Sequence, residues 1–184
     1  MQWDDLKLIK ILGAGGVAVM PTDTLYGIVG KAKDQSVVER IYKIRKRNPE
    51  KPCIILISDI SQLENFSITL TDLQKDAVQK IWPGQTSIIL DCEEEKFSYL
   101  HRGTKTLAFR LPREPGLHKL LEATGPLIAP SANLEGLPPA QNIAEAKKYF
   151  VDLVDLYVDG GTIEGKASKV IKLSKDGSID VLRP

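Results

Sequence analysis

The chain has 184 residues, of which 42% are hydrophobic and 27% charged, with a formal net charge of +1. That length fits one domain, 1–184, with a core of ordinary size, and the balance gives no part the bias of a long disordered tract. The longest apolar runs, such as 54–57, are far too short to cross a bilayer, and Met1-Gln2-Trp3-Asp4-Asp5 lacks the charged-then-apolar layout of a signal peptide, so the expectation is a cytoplasmic protein with no membrane partner. Cys53 and Cys92 have no second Cys or His at metal-ligand spacing, which points to buried or incidental thiols. His101 and His118 are far apart and read as surface or packing residues. Charge is uneven: residues 31–51 hold eight Lys or Arg against three acids, a local +5 that leaves −4 for the rest. Such a block implies an anionic ligand at one locus.

Residues 4–12 have apolar side chains at Leu6, Ile9 and Leu12, a helical spacing that stops at Gly13-Ala14-Gly15-Gly16. These glycines precede a strand, the wrong order for a dinucleotide fingerprint, and no Gly-Lys-Ser/Thr follows them. The apolar run Val17 to Met20 predicts a buried strand delivering the polar loop Pro21-Thr22-Asp23-Thr24-Leu25-Tyr26-Gly27. Val37, Val38, Ile41 and Ile44 form the inner face of a helix ending at the Asn48-Pro49 break, and Pro52 opens a strand over 53–57. Thr71-Asp72-Leu73-Gln74 is a capping box, and Leu73, Ala77, Val78 and Ile81 carry one helical face to a stop at Trp82-Pro83-Gly84. A strand over 86–90 then meets the acidic residues 91–95, which read as a solvated hairpin tip. Further strands are predicted at 107–111, 127–129, 153–158, 170–173 and 179–182, with helices at 115–124 and 143–150. Helices alternating with strands indicate an α/β fold, and the close spacing of the last strands makes the sheet partly antiparallel.

Three loops concentrate chemistry: the Thr/Tyr loop at 21–27, the cationic stretch Arg45-Lys46-Arg47 through Lys51, and Pro130-Ser131-Ala132-Asn133 at another strand end. Arg offers fixed forks of donors for carboxylate or phosphate, Lys a compact charge, and Ser, Thr and Asn the groups that orient what the cations hold. Together they describe a pocket for a small anion or nucleotide. No Ser-His-Asp arrangement, carboxylate pair at helical spacing or His/Cys cluster accompanies them, so the expected chemistry rests on positioning and charge neutralisation. Arg110 inside an apolar strand demands a partner, because burying an unpaired guanidinium is costly.

In these motifs the chain resembles the YrdC-like proteins, which include the threonylcarbamoyl-AMP synthases. The resemblance runs from Val17 to Arg183 and rests on the 21–27 loop, the Arg/Lys loop with Lys51-Pro52, Trp82-Pro83-Gly84 with Thr86, Phe109-Arg110-Leu111-Pro112, Pro130-Ser131-Ala132-Asn133, and Leu182-Arg183-Pro184. It implies an α/β fold built on a twisted, open, mixed parallel/antiparallel sheet flanked by helices. It also implies a nucleotidyltransferase that converts L-threonine, bicarbonate and ATP to threonylcarbamoyl-AMP and pyrophosphate, for threonylcarbamoyl-adenosine modification of tRNA. By that resemblance threonine's amine is carboxylated and the carbamate attacks the α-phosphate of ATP. Arg45, Arg47, Ser131 and Asn133 would be catalytic. Arg47, Lys51, Thr106, Ser131, Pro139 and Arg183 would hold the nucleotide, and Thr24, Arg110, the backbone at Ala129 and Ser168 the threonine. Mg²⁺ would ride on the ATP phosphates, with no metal site built from protein alone. tRNA or the downstream threonylcarbamoyl-transfer proteins would be the partners.

The chain departs from many members in having Arg45-Lys46-Arg47 in place of Lys-x-Arg, Lys169 after Ser168, and Leu56 where some have histidine. With its last residue at 184, the expectation is a chain without the extra C-terminal domain of the larger synthases. Two other readings stay open. One is a YciO-type paralogue with a different substrate preference. The other is an RNA-binding module without catalysis, in which the basic block meets phosphates; only Tyr42 interleaves with that block, which provides poorly for base stacking.

Overall fold

The computed structural model describes residues 3–184. Helix α1, Leu6–Gly13, starts where Asp5 accepts a hydrogen bond from the Lys7 amide. Its buried side chains are Leu8 and Leu12, while Leu6 is 80% exposed. The inner stripe therefore differs from the Leu6-Ile9-Leu12 face expected: seating the Leu8/Leu12 pair leaves Lys7 and Lys10 in water. Strand β1, Ala18–Pro21, and strand β2, Tyr26–Lys31, form an antiparallel hairpin that pairs Ala18 with Val29 and Pro21 with Tyr26. Residues 22–25 are thus a hairpin tip, and Tyr26 and Gly27 belong to a strand that the sequence reading did not foresee. Gly27 and Gly30 dilute the strand signal, yet at Gly30 a Cβ would fall 2.4 Å from Val37 Cγ1, so the absent side chain admits the next helix.

That helix, α2, spans Gln35–Arg45 under an Asp34 cap and buries Val37, Val38, Ile41 and Ile44 as expected, together with Tyr42 and Arg45. It stops before the Asn48-Pro49 break, with Lys46 in the left-handed region at φ 49°. Strand β3 is Ile54–Leu56, followed by a 3₁₀ segment over Ile60–Phe66. Helix α3, Asp72–Ile81, has the Thr71/Gln74 capping box in full. Leu73 is 57% exposed, however, and Gln74 is buried in its place, donating to the Leu173 carbonyl at 3.3 Å. Strand β4, Thr86–Asp91, ends at the acidic residues, of which Asp91, Glu93, Glu94 and Glu95 are exposed as expected, but the connection that follows is longer than a tight hairpin tip. Phe97 and Leu100 are buried, drawing 92–105 into a 3₁₀ turn, Glu95–Phe97, and a short helix α4, Ser98–His101, before β5, Thr106–Arg110. The remaining elements follow closely on expectation: α5 Pro115–Thr124, β6 Leu127–Ile128, α6 Ile143–Phe150, β7 Leu156–Tyr157, β8 Lys169–Leu173 and β9 Ile179–Arg183.

Among the described residues, nine strands make one mixed sheet in the order β7-β1-β2-β6-β3-β5-β4-β8-β9. Pairs β1/β7, β3/β5 and β4/β8 are parallel and the other pairs antiparallel. Side chains alternate between two cores, as the two-residue period of a strand requires. Val19, Ile28, Ile55, Phe109 and Ile128 face one cluster, shared with α2 and α6. Ala18, Met20, Val29, Leu56 and Leu127 face the other, under α1 and α5. Cys53 and Cys92 are buried thiols. His101 is buried, with Nδ1 accepting from the Gly103 amide, and His118 Nε2 bonds the Pro112 carbonyl. No described helix is long and apolar enough to cross a membrane.

Candidate functional site

Helices α1 and α5 leave part of their face of the sheet uncovered, and a cavity of about 520 Å³ opens there, a common size for a small-molecule site. Its floor is Ile54, Ile89, Ala108, Arg110 and Val170; their strand neighbours Ile55, Ile88, Phe109 and Ile171 point the other way, into the core. The walls come from three loops that sheet pairing draws together. Pro130 accepts from the Ile28 amide at 3.0 Å, the Ala132 amide donates to Tyr26 at 2.8 Å, and Ser131 bridges to Gly27. The Thr/Tyr tip and the Ser-Ala-Asn loop, more than 100 residues apart in sequence, are therefore side by side.

At one end Arg110, 3% exposed, donates from Nη2 to Asp23 Oδ1 at 2.8 Å and to Thr24 Oγ1 at 3.3 Å. Asp23 is the partner that the buried guanidinium demanded, and its own side chain is equally enclosed. Burial still pulls the Arg110 pKa below its ordinary value, with Asp23 opposing. Arg110 Nε and Asp23 Oδ2 have no partner among the described residues, so this end keeps unused hydrogen-bonding capacity. Thr22 shapes the tip: its hydroxyl donates to the Leu25 carbonyl at 2.7 Å and meets Thr24 Oγ1 at 3.2 Å. Gln85 reaches across to the Asp23 carbonyl.

At the other end the cations divide. Arg47 lines the cavity, fixed by bonds to the carbonyls of Lys51 at 3.1 Å and Pro52 at 2.9 Å. Arg45 does not line it. This guanidinium, 2% exposed, lies beneath the Ser-Ala-Asn loop and donates to the Asn133 carbonyl at 3.0 Å and to Asn133 Oδ1 at 2.9 Å. Burial first, then the Arg47 charge, lowers its pKa to about 10, which leaves it cationic at neutral pH. Asn133 is likewise turned inward, its amide donating to Leu134 and Leu137 carbonyls while Oδ1 takes the Ser131 hydroxyl at 2.7 Å. Arg45 and Asn133 thus shape the loop, and Ser131 lines the cavity. Lys51 stands outside the lining, its Nζ 2.9 Å from Glu135 Oε1; Arg47 Nη1 lies 3.6 Å from Glu135 Oε2. Arg102 and Arg47 flank the Tyr42 ring at 3.9 and 5.9 Å from its centroid.

The third side is a strap over 159–168. Tyr26, fully buried, accepts from the Gly160 amide and donates to the Gly161 carbonyl, both at 2.8 Å. Gly165 then crosses so near the hairpin tip that a Cβ would sit 1.8 Å from the Thr24 carbonyl oxygen. Ser168 shares a 2.9 Å hydrogen bond with Ser87, and Arg183 donates to the Ser168 carbonyl at 2.9 Å and hydroxyl at 3.2 Å. Thr24, Thr106, Arg110, Ala129, Pro139, Ser168 and Arg183 all line the cavity. Leu56 lies on the α1/α5 side and is not part of the lining. The residues missed from sequence, Asp23 as the Arg110 partner, Glu135 and the Tyr42–Arg102 stack, act through long-range pairing. Only Glu135, next to the Ser-Ala-Asn motif, carried a local signal.

The fold and cavity together define a class of α/β protein with an open cavity on the sheet face, a buried arginine at one end and a solvent-facing cationic loop at the other. The chain belongs to the Sua5/YciO/YrdC family, whose model, described as "Telomere recombination", matches residues 10–184. It is 33% identical over 177 residues to the threonylcarbamoyl-AMP synthase of Bacillus subtilis, covering 95% of this chain and 51% of that one. The P. abyssi Sua5 structure complexed with L-threonine superposes with a TM-score of 0.88 at 28% identity, covering 100% of this chain and 54% of Sua5. E. coli YciO superposes with a TM-score of 0.82 at 29% identity, covering 96% and 86%. The chain therefore spans about half the length of the Bacillus and Sua5 relatives.

Proposed function

We propose that the chain forms threonylcarbamoyl-AMP and pyrophosphate from L-threonine, bicarbonate and ATP, for tRNA modification by downstream transfer proteins. The observation that supports this most is that one cavity carries a buried Arg110 at one end and Arg47 at the other, with hydroxyls between. Arg110, with Thr24, would receive the amino-acid carboxylate, and Ser168 and the Ala129 backbone would bound the side chain. Arg47, with Lys51 beside the cavity, would take the triphosphate; Thr106, Ser131, Pro139 and Arg183 would surround the rest of the nucleotide. The threonine amine takes up the bicarbonate carbon with loss of water, giving a carbamate whose oxygen attacks the α-phosphorus as pyrophosphate departs. With neither a nucleophilic triad nor a base invoked, the protein's part is alignment of the two reactants and neutralisation of charge. Mg²⁺ fits as a passenger on the phosphates: Glu135 is the carboxylate beside the cationic loop, and Mg²⁺ usually keeps phosphate and water as most of its ligands.

A second reading keeps the cavity and changes the amino acid. It draws on the Asp23 carboxylate, which already neutralises part of Arg110, and on the likeness to YciO. Calorimetric titration of ATP and of L-threonine separates the readings. Arg47→Ala is expected to weaken ATP binding roughly tenfold to a hundredfold, the size of a lost charge-assisted hydrogen bond, without unfolding the protein. Unchanged ATP affinity would show that the triphosphate lies elsewhere, and binding of a different amino acid in place of threonine would favour the second reading.

A further inference from the structure

Glu135 is the carboxylate that pairs with two cations of the loop, 2.9 Å from Lys51 Nζ and 3.6 Å from Arg47 Nη1. Its position is built. Its amide donates to the Arg45 carbonyl at the end of α2 at 3.0 Å, Gly136 turns the chain at φ 83°, and the Asn133 amide ties down the carbonyls of Leu134 and Leu137. A polyanion that takes Arg47 and Lys51 must displace this carboxylate, which then stays within reach of the incoming negative charge. Like charges a few ångströms apart at a partly exposed site repel appreciably. A divalent cation carried on the phosphates supplies the missing positive charge.

We propose that Glu135 makes the site selective for metal-bound over metal-free triphosphate, acting as a built-in competitor for Arg47 and Lys51 that only a metal-carrying ligand compensates. This rests on the placement of the triphosphate at Arg47 and Lys51 given above. The role is electrostatic, so Glu135 is a specificity residue and need not touch a reacting atom. Because its ion pairs are partly exposed, replacing it leaves the fold intact.

The test is calorimetric titration of ATP and of inorganic tripolyphosphate, each in EDTA and in excess Mg²⁺, into wild type, Glu135→Gln and Glu135→Ser, with melting temperatures as the folding control. Wild type is expected to prefer Mg-ATP over metal-free ATP. Both variants should bind the metal-free ligands roughly tenfold more tightly than wild type, with a smaller Mg²⁺ preference. Unchanged or weaker metal-free binding by the variants, while Mg-ATP still binds, overturns the role of Glu135 alone. Binding of neither ligand by any of the three proteins overturns both this role and the placement of the triphosphate.

Discussion

Arg110 was legible as a problem in the sequence: a guanidinium in an apolar strand cannot stay unpaired. Its solution was not legible, because Asp23 is 87 residues away and only the β1–β2 hairpin tip brings it within 2.8 Å. Removing one partner of an enclosed ion pair leaves the other charge stranded. Asp23→Ala is therefore expected to cost about 3–5 kcal/mol in urea unfolding, and the double variant Asp23→Ala/Arg110→Met to recover most of it. A cost below about 1 kcal/mol for the single change would mean that the pair is solvated. Arg45 teaches a related lesson. Its chemistry suits phosphate as well as Arg47 does, and nothing local separates the two, yet helix α2 turns one inward beneath Asn133 and lets the other reach the cavity.

Elements with strong periodicity or explicit punctuation were readable. Helices α5 and α6 run over the ranges expected because Pro115 and Gly125 bracket one and the Asn142 cap opens the other. The structure departs from the pattern where two stripes compete, as with Leu6 against Leu8, or where buried apolar side chains lengthen a connection, as with Phe97 and Leu100 anchoring 92–105 while Asp91, Glu93, Glu94 and Glu95 stay in water. The edge of the sheet near β7 depends on charge: Asp155 accepts the Val17 amide at 2.7 Å and pairs with Arg40 at 2.6 Å. The Arg40 bond, opposed by slight burial and aided by the Val17 amide, holds the Asp155 carboxyl below its ordinary range. A depressed carboxyl stabilises the fold fully above its unfolded pKa of about 3.9, and that stability is lost as pH falls through the folded value. Asp155→Asn, which keeps an acceptor but loses the charge, should cost about 1 kcal/mol or less at pH 7, because the pair is half-exposed. Chemical unfolding should show the gap between wild type and variant closing as pH falls below about 4; a gap that persists there would assign the effect to shape instead of charge.

Over the whole molecule, the mixed sheet does one thing that no single motif reveals. It places the ends of β1, β3, β6 and β8 around one uncovered stretch of its face, so three loops from distant sequence become walls of one cavity. The loops and their chemistry could be read from the chain; their meeting could be expected only by resemblance, since strand order is a property of long-range pairing. The strap over 159–168, with Gly165 against Thr24, closes that arrangement without a sequence pattern of its own. If the cavity aligns a threonine carbamate with the α-phosphate of ATP, the reaction must need all three substrates at once. The most direct measurement is pyrophosphate release from ATP by the purified protein, omitting L-threonine or bicarbonate in turn. Release that requires both is the predicted result, and no release with all three present would contradict the account.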